Sequence, residues 1–301
     1  MNFANVADSY DLHEIDIDFE RRYFLTKGTG YPIVFLHGFP DHPFTFHAQV
    51  DYFNNLGFKA FIPYMRGYSP VEIIQDHKLE VCEAQLGLDV IHLMQALKID
   101  KAILIGHDWG CAAAYAAAIL RPDLIARAVT LGVPYGDVFF KKIISSIEQQ
   151  KKSWYYFLLS SPLGELALLN GNFSLIGEIW EDWTKSSWKI DPLELNSIKQ
   201  LFKKNQNYKL IAEYYRSFCP QHLTDECKIL QQKIGKARLS VPWLYLHGDN
   251  DQCIDIEVAR SANLQLFDNI LYKEIGLSGH FLHRERPDVV NGELSKFILK
   301  E

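Results

Sequence analysis

The stretch Lys101-Ala102-Ile103-Leu104-Ile105-Gly106-His107-Asp108-Trp109-Gly110-Cys111-Ala112-Ala113-Ala114-Tyr115-Ala116-Ala117-Ala118-Ile119-Leu120 decides the fold. It opens with an apolar run of strand length and closes with a run of strong helix formers from Cys111 onward. Between them, glycines flank His107-Asp108-Trp109. Strand, sharp turn and helix with small residues on both sides of one reactive side chain is the pattern of a nucleophile elbow. The strained backbone at the nucleophile and the tight strand-to-helix packing leave no room for bulk on either side. Asp108 is expected to stand exposed at the top of a sheet. The competing reading, an aspartate serving only as a helix N-cap, explains the helix but neither the glycines nor the preceding strand.

A carboxylate there changes the chemistry expected of such an elbow, where serine is usual. It is already ionised at neutral pH, so it can attack an sp³ carbon without a base and form an alkyl-enzyme ester. Water must then hydrolyse the ester, which calls for a general base, typically histidine backed by a second acid. Suitable residues follow downstream. Val241-Pro242-Trp243-Leu244-Tyr245-Leu246-His247 reads as a buried strand leading into Gly248-Asp249-Asn250-Asp251, where either aspartate could be the acid. Ile270-Leu271-Tyr272-Lys273-Glu274-Ile275 is the next strand, and the loop Gly276-Leu277-Ser278-Gly279-His280 after it supplies the base, His280. Upstream, Ile33-Val34-Phe35-Leu36-His37 is an apolar strand entering Gly38-Phe39-Pro40-Asp41, a loop that can turn inward because Gly38 has no side chain. His37 and His107 lack Cys, His or Glu companions at zinc-site spacing and read as structural, so no metal is expected.

Taken together, His37-Gly38-Phe39-Pro40, Met65-Arg66-Gly67-Tyr68, Gly106-His107-Asp108-Trp109-Gly110, Gly248-Asp249-Asn250-Asp251 and Gly279-His280 resemble the motifs of the epoxide hydrolase family of α/β-hydrolases, across nearly the whole chain. The resemblance implies a mostly parallel sheet flanked by helices, with nucleophile, acid and histidine in that chain order. It selects Asp251 as the acid that orients His280 and leaves Asp249 a turn or capping role. It also implies that the backbone N–H groups of Phe39 and Trp109 form an oxyanion hole. Arg66 is expected to tie loops together through bidentate hydrogen bonds.

Ala126-Arg127-Ala128-Val129-Thr130-Leu131-Gly132-Val133-Pro134 reads as another core strand, and the next begins only near Val241. A plain crossover needs far fewer residues. The interval predicts an inserted helical cap over residues 137–225, with a hydrolase core formed by 1–136 and 226–301. Trp154, Trp180, Trp183 and Trp188 fall in the insertion, a composition suited to an apolar pocket, although most aromatics there should simply pack the cap onto the core. Ring opening of an epoxide leaves an alkoxide that needs a proton donor, and a phenol, with pKa of about 10, stays protonated at neutral pH. The family resemblance implies two cap tyrosines for this task and points to Tyr155 and Tyr215, with Tyr156 and Tyr214 as the adjacent alternatives.

Two other families resemble the chain. Haloalkane dehalogenases share the aspartate and often the following tryptophan, but they typically draw a second halide donor from an Asn in the loop where this chain has Phe39. Haloacetate dehalogenases place arginines just after the nucleophile, where this chain has Trp109, Cys111, Ala112 and Ala113. A non-catalytic ligand-binding protein on the same fold is a third reading, opposed by the complete Asp108, Asp251 and His280 set.

The length of 301 residues fits one α/β core with a cap, and a formal net charge of −6 gives no basic footprint for nucleic acid. No apolar run approaches a membrane span, and the N-terminus lacks signal-peptide regions. Cys82, Cys111, Cys219, Cys227 and Cys253, odd in number and scattered, suggest reduced thiols and a cytoplasmic protein. Lys151-Lys152 and the lysines between 199 and 209 read as solvated faces of cap helices. The expected partners are a small apolar epoxide and water, with no organic cofactor, and the expected state is a monomer or homodimer.

Overall fold

The computed structural model describes residues 6–17, 20–71, 81–184, 187–218 and 220–300. Its strands are β1 (Asp11–Ile17), β2 (Glu20–Lys27), β3 (Tyr31–Leu36), β4 (Phe58–Pro63), β5 (Ala102–His107), β6 (Ile125–Leu131), β7 (Trp243–Gly248) and β8 (Ile270–Ile275). They form one sheet in the order β1-β2-β4-β3-β5-β6-β7-β8. The β1/β2 and β2/β4 pairs are antiparallel and every later pair is parallel. This is an α/β-hydrolase sheet.

Side chains on the central strands alternate between two cores because successive residues of a strand face opposite sides. Ile33 and Phe35 of β3, with Ile103 and Ile105 of β5, join the core shared with α1 (His47–Asn55). Val34, Leu36 and Leu104 point to the other side, against α2 (Glu83–Ala96) and α3 (Trp109–Leu120). A strand covered on both faces can be apolar throughout, which is why β5 reads as a continuous hydrophobic run. The outermost strand β1 is mostly exposed and carries Asp11, Glu14 and Asp16, charges suited to a free edge.

Between β6 and β7 run α4 (Val138–Ser145), α5 (Ile147–Lys152), α6 (Trp154–Ser160), α7 (Gly164–Leu169), α8 (Ser174–Trp183), α9 (Pro192–Lys203), α10 (Asn207–Arg216) and α11 (Asp225–Ile234). Helix α10 packs on α6, α7 and α9, whereas α11 returns to the sheet side and packs on α2 and α3. The chain closes with α12 (Ile256–Arg260), α13 (Leu282–Glu285) and α14 (Pro287–Ile298), the last covering the core beside α1. Among the described residues, no helix is long and apolar enough to cross a membrane.

Two sequence expectations need correction here. Cys82, just before α2, and Cys227, in α11, are joined as a disulfide, so the thiols are not all reduced. Scattered spacing concealed the pair because the return of α11 onto α2 brings together positions 145 residues apart. Cys111 and Cys253 are free and buried, and Cys219 lies outside the described residues. Lys152 is not a solvated face: its ammonium pairs with Asp255 at 2.7 Å and donates to the Asp251 carbonyl at 2.8 Å.

Candidate active site

The elbow is built by steric necessity. Asp108 has φ 51° and ψ −120°, a positive φ that a non-glycine residue adopts only when its surroundings enforce it. A Cβ on Gly106 would overlap the Gly110 carbonyl oxygen, and one on Gly110 would overlap that of Leu36. A Cβ on Gly38 would strike the Asp108 side chain and lie 2.6 Å from the Trp109 nitrogen. These glycines let β3, β5 and α3 approach closely enough to present Asp108. The aspartate occupies the N-cap position of α3, yet its side chain makes no capping bond. Instead Oδ1 accepts a hydrogen bond of 2.7 Å from the Phe39 N–H. Asp108 is 7% exposed, not open at the top of the sheet as expected, because the helices of the insertion lie over it.

Asp251 and His280 converge on the same point from the ends of β7 and β8. His280 Nδ1 lies 2.8 Å from Asp251 Oδ2, while Nε2 faces Asp108 Oδ2 at 3.5 Å. The other Asp251 oxygen accepts from the backbone N–H groups of Cys253 at 2.7 Å and Ile254 at 2.9 Å. Asp249 is confined to the turn, where it accepts from the Ser278 N–H at 3.2 Å. Burial alone would raise the Asp251 pKa, but the His280 ring and the donated hydrogen bonds hold it below the usual carboxylate range. For His280, burial works against the imidazolium; Asp251, Cys253 and Asp108 outweigh it and raise the pKa well above the ordinary histidine value.

The supporting residues were not visible as a set in the sequence. Trp183, from the insertion, accepts the His280 N–H through its carbonyl at 2.8 Å and places its ring edge-on to the imidazole, centroids 5.1 Å apart. Glu285 accepts the Gly279 N–H with both oxygens at 3.0 Å. Buried Gln149 donates to the Cys253 carbonyl and accepts from the Asp255 N–H, each at 2.9 Å, which ties α5 to the acid turn. Trp180 donates to the Pro40 carbonyl at 2.7 Å and stacks on Phe281. Both tryptophans thus fasten the insertion to site loops. Arg66 binds Asp89 through two nitrogens at 2.7 and 2.6 Å, bidentate as expected, but Asp89 belongs to α2, so the arginine ties its loop to a helix and not to another loop.

His37 accepts from the Met65 N–H at 3.1 Å, and His107 donates to the His280 carbonyl at 3.0 Å. Burial lowers both pKa values to about 3. His107 also has companions that linear spacing did not reveal, since its ring meets Asp41 and His283 with ligand-type atoms all within 4.8 Å.

Over Asp108 the insertion supplies a cluster of phenols. Tyr215 packs edge-on against Phe39, Trp109, Tyr155 and Tyr156, with centroids 5.3, 5.8, 5.7 and 4.9 Å away. The Tyr155 hydroxyl lies 3.1 Å from the Cys253 sulfur. The neighbours differ: the Tyr214 hydroxyl is committed to the Arg66 carbonyl at 2.6 Å, whereas Tyr156 lines a cavity that also contains Asp108. Burial raises the pKa of Tyr155, Tyr156 and Tyr215 well above the phenol value, and the Asp108 charge adds to each. All three remain protonated near neutrality. The cavity has a volume of about 260 Å³ and runs beside Trp109, Ala112 and Tyr115 of α3.

Residues 31–287 match the alpha/beta hydrolase fold family, and the chain belongs to it. Among its members, the chain is similar to epoxide hydrolase 2 of Caenorhabditis elegans, with 24% identity covering 92% of this chain and 77% of the relative. It is also similar to epoxide hydrolase 4 of Homo sapiens, with 23% identity over 93% of this chain and 76% of the relative. The fold matches the crystal structure of Bacillus megaterium epoxide hydrolase in complex with an inhibitor, with a TM-score of 0.78, 20% identity, and coverage of 96% of this chain and 100% of that one.

Proposed function

We propose that the protein hydrolyses an epoxide to a vicinal diol. The observation that carries this reading is the pairing of a carboxylate nucleophile, held by Phe39 N–H and faced by a His280–Asp251 pair, with the buried phenols of Tyr155 and Tyr215 above it. In the first step an Asp108 oxygen attacks a ring carbon, the carbon–oxygen ring bond breaks, and Tyr215 or Tyr155 protonates the departing oxygen. In the second, His280 Nε2 takes a proton from water, which attacks the ester carbonyl. The oxyanion rests on the N–H groups of Phe39 and Trp109, the diol leaves, and the proton gained by His280 replaces the one given by the tyrosine.

The electrostatics support the order of events. Esterification neutralises Asp108 and so removes one of the groups holding the proton on His280. The histidine pKa falls, so the ring is neutral and free to accept a proton at the stage when water must be activated. The commitment of the Tyr214 hydroxyl to Arg66 favours Tyr215 as the donor of that pair. Residues 137–225 are the cap in this reading, with 1–136 and 226–301 as the core. The apolar cavity wall suits a small apolar epoxide. A monomer or homodimer and a cytoplasmic location belong to the same proposal, the location no longer resting on reduced thiols, since Cys82 and Cys227 are joined.

The decisive experiment is mass spectrometry of His280→Gln protein incubated with styrene oxide and, separately, with a 1-haloalkane. An Asp108 peptide heavier by the intact epoxide supports the proposal. An adduct from the haloalkane alone replaces it with dehalogenation, and no adduct from either points to a non-catalytic binding protein.

A further inference from the structure

The cavity that reaches Asp108 has a second polar end. From Trp109 to Tyr115 it follows α3 for six residues, about 9 Å at the helical rise. It ends at Glu83 of α2 and Gln231, Ile234 and Gly235 around α11. Tyr115, Tyr135 and Gln231 on this wall are already committed, and the solvent-exposed Asp137 pairs with Lys141 at 2.8 Å. The Tyr115 hydroxyl engages Thr130 and the Val133 carbonyl, and that of Tyr135 donates to the carbonyls of Ile234 and Ala237. Gln231 accepts from the Ala84 N–H at 3.2 Å and donates to Glu83 Oε2 at 2.5 Å. Glu83 is thereby fixed on the cavity lining, and among the described residues its other oxygen meets no hydrogen-bond donor.

The neighbouring Cys82–Cys227 bond ties the start of α2 to α11 one turn before Gln231, so the carboxylate sits on a covalently fastened seam. A first-turn position favours an acid through the helix dipole, but that does not account for lodging it on an apolar wall. Burial raises the Glu83 pKa, with the hydrogen bond from Gln231 working against it.

Building on the epoxide reading, we propose that Glu83 determines specificity by accepting a hydrogen bond from the far end of the substrate. The preferred substrates are then epoxides joined by an apolar spacer of roughly 9 Å to a donor such as a hydroxyl group. Those ending in a carboxylate are disfavoured by like charge.

The test compares kcat/KM for 1,2-epoxyoctane, 7,8-epoxyoctan-1-ol and 7,8-epoxyoctanoic acid. The wild-type protein should prefer the alcohol to the unsubstituted epoxide by about tenfold or more, the range of a hydrogen bond to a charged group, and should use the acid least. Glu83→Leu should bring the alcohol preference to within about twofold of unity. Glu83→Gln, which keeps size and an acceptor, should retain preference for the alcohol and recover turnover of the acid. An alcohol preference absent from wild type, or unchanged in Glu83→Leu, overturns the inference. The products give a readout independent of catalysis. If no epoxide is turned over, the hydrolase reading fails, yet a greater thermal stabilisation by 1,2,8-octanetriol than by 1,2-octanediol, lost in Glu83→Leu, still supports recognition at Glu83. Equal stabilisation in that case overturns it.

Discussion

The two halves of the site are specified by different means. The sheet side presents Asp108, Asp251, His280 and the Phe39 N–H from loops at the ends of β5, β7, β8 and β3. There the backbone comes so close that certain positions accept only glycine, and the geometry leaves a recognisable pattern in the sequence. The insertion side presents Tyr155, Tyr156 and Tyr215 through edge-on aromatic packing. Such packing constrains volume more than identity, so adjacent tyrosines in the chain look equivalent until their hydroxyl partners are known. Reactive groups on the sheet side should therefore fail abruptly when altered, and those on the insertion side by degrees.

The largest effect tests the sheet side. Asp108→Ala should reduce diol formation by on the order of 10⁴-fold or more, measured by product chromatography, and residual activity near wild type would remove the aspartate from the chemistry. His280→Gln should lower steady-state turnover on a similar scale but still undergo one rapid alkylation of Asp108 and then stall as the ester. A quenched-flow trace with no burst of alkylation would dissolve the division between nucleophile and base.

Gly110→Ala probes the frame without touching a reacting group. The Cβ clash with Leu36 should cost about 1–3 kcal/mol in denaturant unfolding and lower activity further by displacing Asp108. Unchanged stability would mean that the elbow has more room than its geometry indicates.

On the insertion side, Tyr215→Phe and Tyr155→Phe should each slow alkylation by about 10–100-fold, less than the full range for acid–base catalysis because the other phenol remains. Tyr214→Phe should alter stability more than rate, since its hydroxyl serves Arg66. A larger rate effect from Tyr156→Phe than from Tyr155→Phe would move the donor by one residue and fit the place of Tyr156 on the cavity wall.

The smallest effect is a titration. The His280 imidazole, followed by NMR, should titrate above the usual histidine value in the free protein and at lower pH in Asp108→Asn, because a neutral side chain no longer favours the imidazolium. By the same sign, ester hydrolysis should accelerate as pH rises through the His280 pKa of the alkylated form. An unshifted titration in Asp108→Asn would uncouple the two residues.

The central strands and the elbow were legible because burial on both faces and glycine clearance write directly into residue type, as in β5 and Gly106 to Gly110. The edge pair β1 and β2 was not read, since the exposed β1 carries charges instead of a hydrophobic run. The Cys82–Cys227 bond, the Lys152 contact with Asp251, and the roles of Gln149 and Glu285 were also hidden. Each joins residues distant in sequence through a packing arrangement that no local period announces. Trp183 carried a hint in its aromatic character, but its decisive contribution to His280 comes from a backbone carbonyl, which every residue possesses.

The close approach of Gly110 to the Leu36 carbonyl also bears on how such a scaffold can be redesigned. At position 108 a change of side chain alters the reacting group and its hydrogen bond to the Phe39 N–H, whereas a single added methyl at 110 disturbs the turn itself. A designer seeking new reactions should vary the group that reacts and treat the hydrogen atoms of the neighbouring glycines as the fixed parts of the catalyst.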